Sequence, residues 1–226
     1  MTSVSIDARA ADIRVILFDV DGVLTDGKIL LHADGTESKQ FDIKDGTAIV
    51  WAQRAGLTVG FLSARMSAAT AQRAAQLGVA VVHQGVASKL DAYEDIVRRQ
   101  GIADEQVAYM GDDVLDLPVL GRVGLSAAPA DAVEEVRARV HWVSRMTGGS
   151  GAARELIELI LREQNRWDAI VAPYVSDAAP AAGVTHEKSA GGSVERAGAS
   201  RAAASPSSNE AASASGKALA PRAAKP

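Results

Sequence analysis

The chain has 226 residues, 47% of them hydrophobic and 23% charged, and carries a formal net charge of -4, figures that suit one globular domain of ordinary size. The negative balance argues against nucleic acid as a partner, which needs a basic face, and the lack of cysteine excludes disulfides, thiolate metal sites and a cysteine nucleophile. No run approaches the roughly 20 apolar residues that span a bilayer, and 1–11 has Asp7 and Arg9 but no apolar centre, so a soluble cytoplasmic protein with neither secretory signal nor membrane partner is expected.

Residues 1–12 read as an N-terminal extension. The run VILFD at 15–19 is short, apolar and ends in an acid, so it predicts a buried strand. Segments 29–32 and 38–41 flank Asp34-Gly35, a hairpin signal. A helix is expected over 46–55, a strand over 58–62, an Ala-rich helix over 66–77 that stops at Gly78, and a strand over 79–83. A further helix over 89–100 stops at Gly101, a strand follows at 107–110, then a helical stretch at 115–121. The remaining expectations are a short strand at 124–126, a helix at 130–138, an extended piece at 141–143 and an amphipathic helix at 151–166. The composition changes near Ser176, and 176–226 is mostly Ala, Ser, Gly and Pro. Such a segment buries too little apolar surface to offset its ordering entropy and reads as a disordered tail.

Alternating strands and helices over 13–175 predict an α/β domain with a parallel, doubly wound sheet. Ligands of such sheets bind beyond the carboxyl ends of the strands, which is where the informative residues fall. Asp19 and Asp21, followed by Gly22, close the first strand. Two carboxylates there can act as nucleophile and as proton donor and acceptor, or can be solvated turn acids. Gly111-Asp112-Asp113, with Asp116 beyond, follows the strand at 107–110. These acids suit a hard cation such as Mg²⁺, or a helix N-terminus. Ser63 can hold a phosphoryl oxygen or simply cap a helix. Lys89 opens a helix, where a cation opposes the dipole, and can face the crevice or solvent. The combination is what phosphoryl transfer requires: an in-line nucleophile, a metal, and a cation on the equatorial oxygens. His32, His83 and His141 are not spaced as a metal set and read as structural. Gly148-Gly149 reads as a hinge for a tail entering a neighbouring site or as an ordinary loop.

FDVDGVLTDG, LSAR, the lysine of VASKL and YMGDDVLDLPVL resemble, in order and spacing, the four motifs of the haloacid dehalogenase-like phosphatases over about 13–165. FDIKDG, SARM, VGLSAAPADA and GGSGAARE are similar to segments of the subfamily that acts on 3-deoxy-D-manno-octulosonate 8-phosphate, which supplies lipopolysaccharide precursors. The resemblance implies a Rossmann-type phosphatase without a large cap, with the insert at 27–41 building a homotetramer. It implies Asp19 as nucleophile and metal ligand, Asp21 as general acid/base and carbonyl ligand, Asp112 as the remaining ligand of Mg²⁺, and Ser63 and Lys89 on the phosphoryl group. It also implies substrate contacts for Asp42, Ile43, Lys44, Asp45, Gly46, Arg65 and Arg73. Two residues depart from the pattern: Val50 stands where some members carry a substrate-contacting arginine, and Ser150 replaces the arginine of a Gly-Gly-Arg-Gly segment. The competing expectations are a nonulosonate 9-phosphate or other acid-sugar phosphate as substrate, and a non-catalytic binding domain on the same fold.

Overall fold

The structure is a computed structural model and describes residues 4–176. The first element is a helix, α1 (Ile6–Ala11), capped by Ser5 Oγ on the amide of Ala8. This helix falls within the segment expected as an N-terminal extension, and its Ala10 is fully buried.

Five parallel pairings join six strands: β1 (Val15–Phe18), β4 (Thr58–Leu62), β5 (Val81–His83), β6 (Val107–Met110), β7 (Leu125–Ala128) and β8 (Trp142–Val143). Their order is β5-β4-β1-β6-β7-β8. The chain thus winds outward from β1 through β4 and β5, then returns to β6 on its other side. Phe18 is in register with Phe61 of β4 and Met110 of β6, so the three strand ends open together at the switch point where such sheets bind ligands.

Side chains alternate across the sheet. Ile16 and Phe18 join one apolar cluster; Val15 and Leu17 join the other. The first face is covered by α1, α2 (Ile43–Arg54), α3 (Ala68–Leu77), α7 (Ala152–Glu163) and Trp167 of α8 (Trp167–Ser176). The second is covered by α4 (Lys89–Gln100), α5 (Leu117–Leu120) and α6 (Glu134–Arg137). Burial on both faces explains why the strands read as continuous apolar runs.

Several bounds differ from expectation. The helix expected from Gly46 starts at Ile43, because Asp42 accepts the amide of Lys44 as its cap. The hairpin is shorter: β2 (Leu30–Leu31) pairs with β3 (Glu37–Ser38). The helix expected over 130–138 covers only α6. α8 was not anticipated; Asn165, at φ 55°, ends the preceding helix and lets a new one begin. The expected tail lies, apart from Ser176, outside the described residues.

Gly148-Gly149 packs against its own chain. The amide of Gly149 donates to the carbonyl of Val23 at 2.9 Å, and that of Gly148 to Asp131 at 2.9 Å. A Cβ on Gly148 would lie 1.8 Å from the Gly22 carbonyl, so only glycine lets the two backbones meet. Gly148→Ala is expected to cost about 2 kcal/mol, as overpacking does, and to lower the melting temperature by several degrees. A thermal melt checks this; an unchanged midpoint would show that the contact gives way freely.

Candidate active site

The carboxyl ends of β1, β4 and β6, with the start of α4, surround a cleft of about 170 Å³. Asp19, Asp21, Ser63, Arg65, Lys89 and Asp112 all line it.

The loop after β1 is fixed from within. The amide of Asp19 donates to the Met110 carbonyl at 3.0 Å, extending the β1–β6 ladder by one residue. Thr25, fully buried, accepts the amide of Gly27 at 3.2 Å and bonds the Val20 carbonyl at 3.4 Å. Gly22 lies at φ 96°, and a Cβ there would fall 2.0 Å from Asp112 Oδ2. Glycine is needed both for the turn and for the approach of the Asp112 carboxylate to the β1 loop.

Lys89 Nζ lies 2.9 Å from Asp19 Oδ1 and 2.6 Å from Asp116 Oδ1. Burial works against its charge, but these two carboxylates outweigh that and hold its pKa above the ordinary value. Asp116 has no exposed surface and is saturated with donors. Lys89 and the Tyr109 hydroxyl take Oδ1, while the amides of Asp112 and Asp113 donate to Oδ2 at 3.0 and 3.2 Å. It therefore organises the loop after β6.

Oxygens of Asp19, Asp112 and Asp116 lie within 4.8 Å of one another. With Asp116 committed elsewhere, Asp19 and Asp112 remain for a cation. Asp112 Oδ1 is buried without any hydrogen-bond partner. Burial, reinforced by Asp19 and Asp116, pushes the Asp112 carboxyl up to about 8, and burial, reinforced by Asp116, pushes Asp19 up to about 6. An orphaned oxygen among crowded, destabilised carboxylates suits a hard, oxygen-seeking divalent cation.

Ser63 is buried; its hydroxyl accepts the amide of Arg65 at 3.2 Å. Arg65 sits half-exposed at the rim, 3.1 Å from Glu37 and 3.7 Å from Asp21. Lys39, which sequence reasoning did not single out, contacts Asp21 from the hairpin side.

None of Asp42, Ile43, Lys44, Asp45, Gly46 or Arg73 lines the cleft of the same chain. Ile43 is solvent-exposed. Asp45 is buried and accepts the amides of Gly151 at 3.3 Å and Arg154 at 2.7 Å. Gly151 has no side chain to cap α7, so Asp45 of α2 does so, an arrangement favoured by the exposed amides of a helix start. The Arg73 guanidinium donates to the Asp42 carbonyl at 3.2 Å and rests over Phe41. His32 and His141 bond Ser38 and Ser126.

A carboxylate held by a buried lysine, a second carboxylate two residues on and an acid suited to a cation, all at the switch point of a doubly wound sheet, define a metal-dependent phosphoryl-transfer enzyme. A family model described as haloacid dehalogenase-like hydrolase matches residues 63–156. The 3-deoxy-D-manno-octulosonate 8-phosphate phosphatase of Escherichia coli K12 is 40% identical over 166 residues, covering 74% of this chain and 88% of that one. The corresponding Moraxella catarrhalis phosphatase, solved in complex with magnesium, phosphate and KDO, is 36% identical with a TM-score of 0.73, over 75% of this chain and 97% of that one. The Yersinia pestis phosphatase superposes with a TM-score of 0.71 at 39% identity, over 72% and 88%. The chain belongs to the haloacid dehalogenase-like hydrolases, in the family of the 3-deoxy-D-manno-octulosonate 8-phosphate phosphatases. It is a phosphoric monoester hydrolase that uses Mg²⁺.

Protons compete with the cation at this site. A carboxyl raised to about 8 must lose its proton before Asp112 can ligate, so lowering the pH through that value weakens Mg²⁺ binding, by up to about tenfold per unit. Mg²⁺ titrations of activity between about 8 and the Asp19 value of about 6 check this. A metal requirement independent of pH over that window would contradict it.

Proposed function

We propose that the enzyme hydrolyses 3-deoxy-D-manno-octulosonate 8-phosphate to the free sugar acid and phosphate, a step in making lipopolysaccharide precursors. The observation that carries this reading is Arg65 at the rim of a cleft whose floor is Asp19 and Lys89. One anion site faces phosphate, and a guanidinium stands where a second anion can reach it. A 2-keto sugar acid carries both anions, and a guanidinium binds a planar carboxylate with two parallel hydrogen bonds.

An Asp19 oxygen attacks phosphorus while Lys89 and Ser63 hold the equatorial oxygens. The P–O bond to the sugar breaks, and the departing oxygen takes a proton from Asp21. Asp21 then takes a proton from the water that attacks the aspartyl phosphate, releasing phosphate and restoring Asp19. When bound, Mg²⁺ offsets charge on the transferring phosphoryl group; Asp19, Asp112 and the Asp21 carbonyl would hold it.

Assembly as a homotetramer through the hairpin belongs to the same reading, supported by Leu30 and Leu31, apolar residues that are 63% and 73% exposed. A cytoplasmic setting belongs to it too, since a doubly anionic sugar phosphate does not cross a bilayer unaided. No helix among the described residues is long and apolar enough to cross a membrane.

The substrate test is a comparison of kcat/KM values. The octulosonate phosphate is expected to exceed glucose 6-phosphate by about 100-fold, or about 2.7 kcal/mol of transition-state stabilisation. Arg65→Ala is expected to erase most of that margin while sparing a small aryl phosphate that does not reach the arginine. Equal effects on all substrates would reduce Arg65 to its ion pair with Glu37.

A further inference from the structure

Most of the hairpin is exposed, yet it sends one side chain inward. The Lys39 side chain has no exposed surface. Its ammonium lies 2.7 Å from Asp21 Oδ1 and 2.9 Å from Asp21 Oδ2, 3.4 Å from Thr70 Oγ1 and 3.8 Å from Glu37 Oε1. An enclosed lysine is costly unless its partners are charged and well placed. Here the nearest partner is the carboxylate that handles protons. The other cation near it, Arg65, stands off at 3.7 Å. The hydrogen bond to Oδ2 restrains rotation of the Asp21 carboxyl group and leaves Oδ1, which has no hydrogen-bond partner, as the oxygen that can carry the proton. Thr70 of α3 accepts a hydrogen bond from the ammonium, and Glu37 of β3 adds a second negative charge beside it.

We propose that Lys39 is a positioning residue for the proton transfer: it holds the Asp21 carboxyl group in the orientation from which its proton reaches the departing oxygen. This rests on the assignment of Asp21 as general acid. The insert at 27–41 is thereby part of the catalytic apparatus of its own chain, in addition to any role in assembly. The proton matters in proportion to the basicity of the leaving group. An alkoxide leaves poorly without one, whereas a nitrophenolate leaves readily. General acid catalysis is worth about 10²–10⁴-fold, so an acid that loses its orientation forfeits part of that factor on alkyl esters alone.

The readout is kcat/KM, which covers the steps through departure of the leaving group and is blind to the later attack of water. Lys39→Met fills the same space without the charge. It is expected to lower kcat/KM for octulosonate 8-phosphate by about 50-fold and for 4-nitrophenyl phosphate by less than about fivefold, with the Mg²⁺ requirement unchanged. Lys39→Arg should recover part of the loss. Asp21→Asn should show the same leaving-group selectivity, and adding Lys39→Met to it should cost little more, since the two residues act as a unit. Should the methionine variant fold poorly in a thermal melt, Lys39→Gln keeps an N–H donor in the pocket and is expected to show a smaller loss of the same selectivity. Equal losses on both esters, or additive losses in the double variant, would overturn the proposal and leave Lys39 a structural ion pair. If octulosonate 8-phosphate is itself a poor substrate of the wild type, the substrate reading falls alone. The selectivity is then read with any alkyl phosphate the enzyme turns over.

Discussion

A single enclosed ammonium group, Lys89 Nζ, touches both Asp19 and Asp116 within 3 Å. Three acids of the cluster crowd into 4.8 Å, and burial pushes the carboxyls of Asp19 and Asp112 up. The lysine opposes that rise at Asp19 and so favours the carboxylate form that the proposed nucleophile needs at the floor of the cleft. Asp116 then transmits that placement outward. Through the amides of Asp112 and Asp113 it shapes the loop that carries the free oxygen of Asp112. The site is thus one electrostatic unit whose charges are fixed by the fold, which is the condition under which electrostatic preorganisation favours a transition state over a ground state.

The scaffold around this unit is arranged to keep it still. The β1 loop is bracketed by Asp112, which occupies the space a side chain at Gly22 would need, and by Gly148, whose backbone lies against the Gly22 carbonyl. The segment bearing Gly148 leads into α7, whose start is capped by Asp45 of α2. Burial raises the Asp45 carboxyl to about 6 even though amides of α7 donate to it. Packing on the first face of the sheet, remote in sequence from Asp19, therefore bears on the geometry of the chemistry.

The strands and the order of the reactive residues were legible because their signals are local. An apolar run ending in an acid marks β1, and Gly78 and Gly101 mark helix ends by adopting the left-handed conformation. Where the reading failed, a distant partner decided the outcome. Gly46 reads as a helix start, yet it lies within the first turn of α2, and a Cβ there would meet Arg73 at 2.2 Å. Asp45 and Arg73 are expected as substrate contacts from a pattern in one dimension; within this chain Asp45 caps α7 and Arg73 bonds the Asp42 carbonyl, contacts between elements that no local signal announces. Lys39 has no sequence signature: a lysine beside a hairpin is ordinarily solvated, and only the closure of the hairpin over Asp21 encloses it. α8 was missed because it contains Pro173 and follows directly on another helix.

The central claim is that Asp19 carries the phosphoryl group during turnover. The direct measurement is an acid-quenched single turnover with a substrate radiolabelled in its phosphate, followed by proteolysis and peptide mapping. The account predicts transient label on the peptide containing Asp19, released by hydroxylamine as an acyl phosphate is, and absent from Asp19→Asn. Rapid turnover with no protein-bound label at any quench time, or label on a different residue, would contradict it.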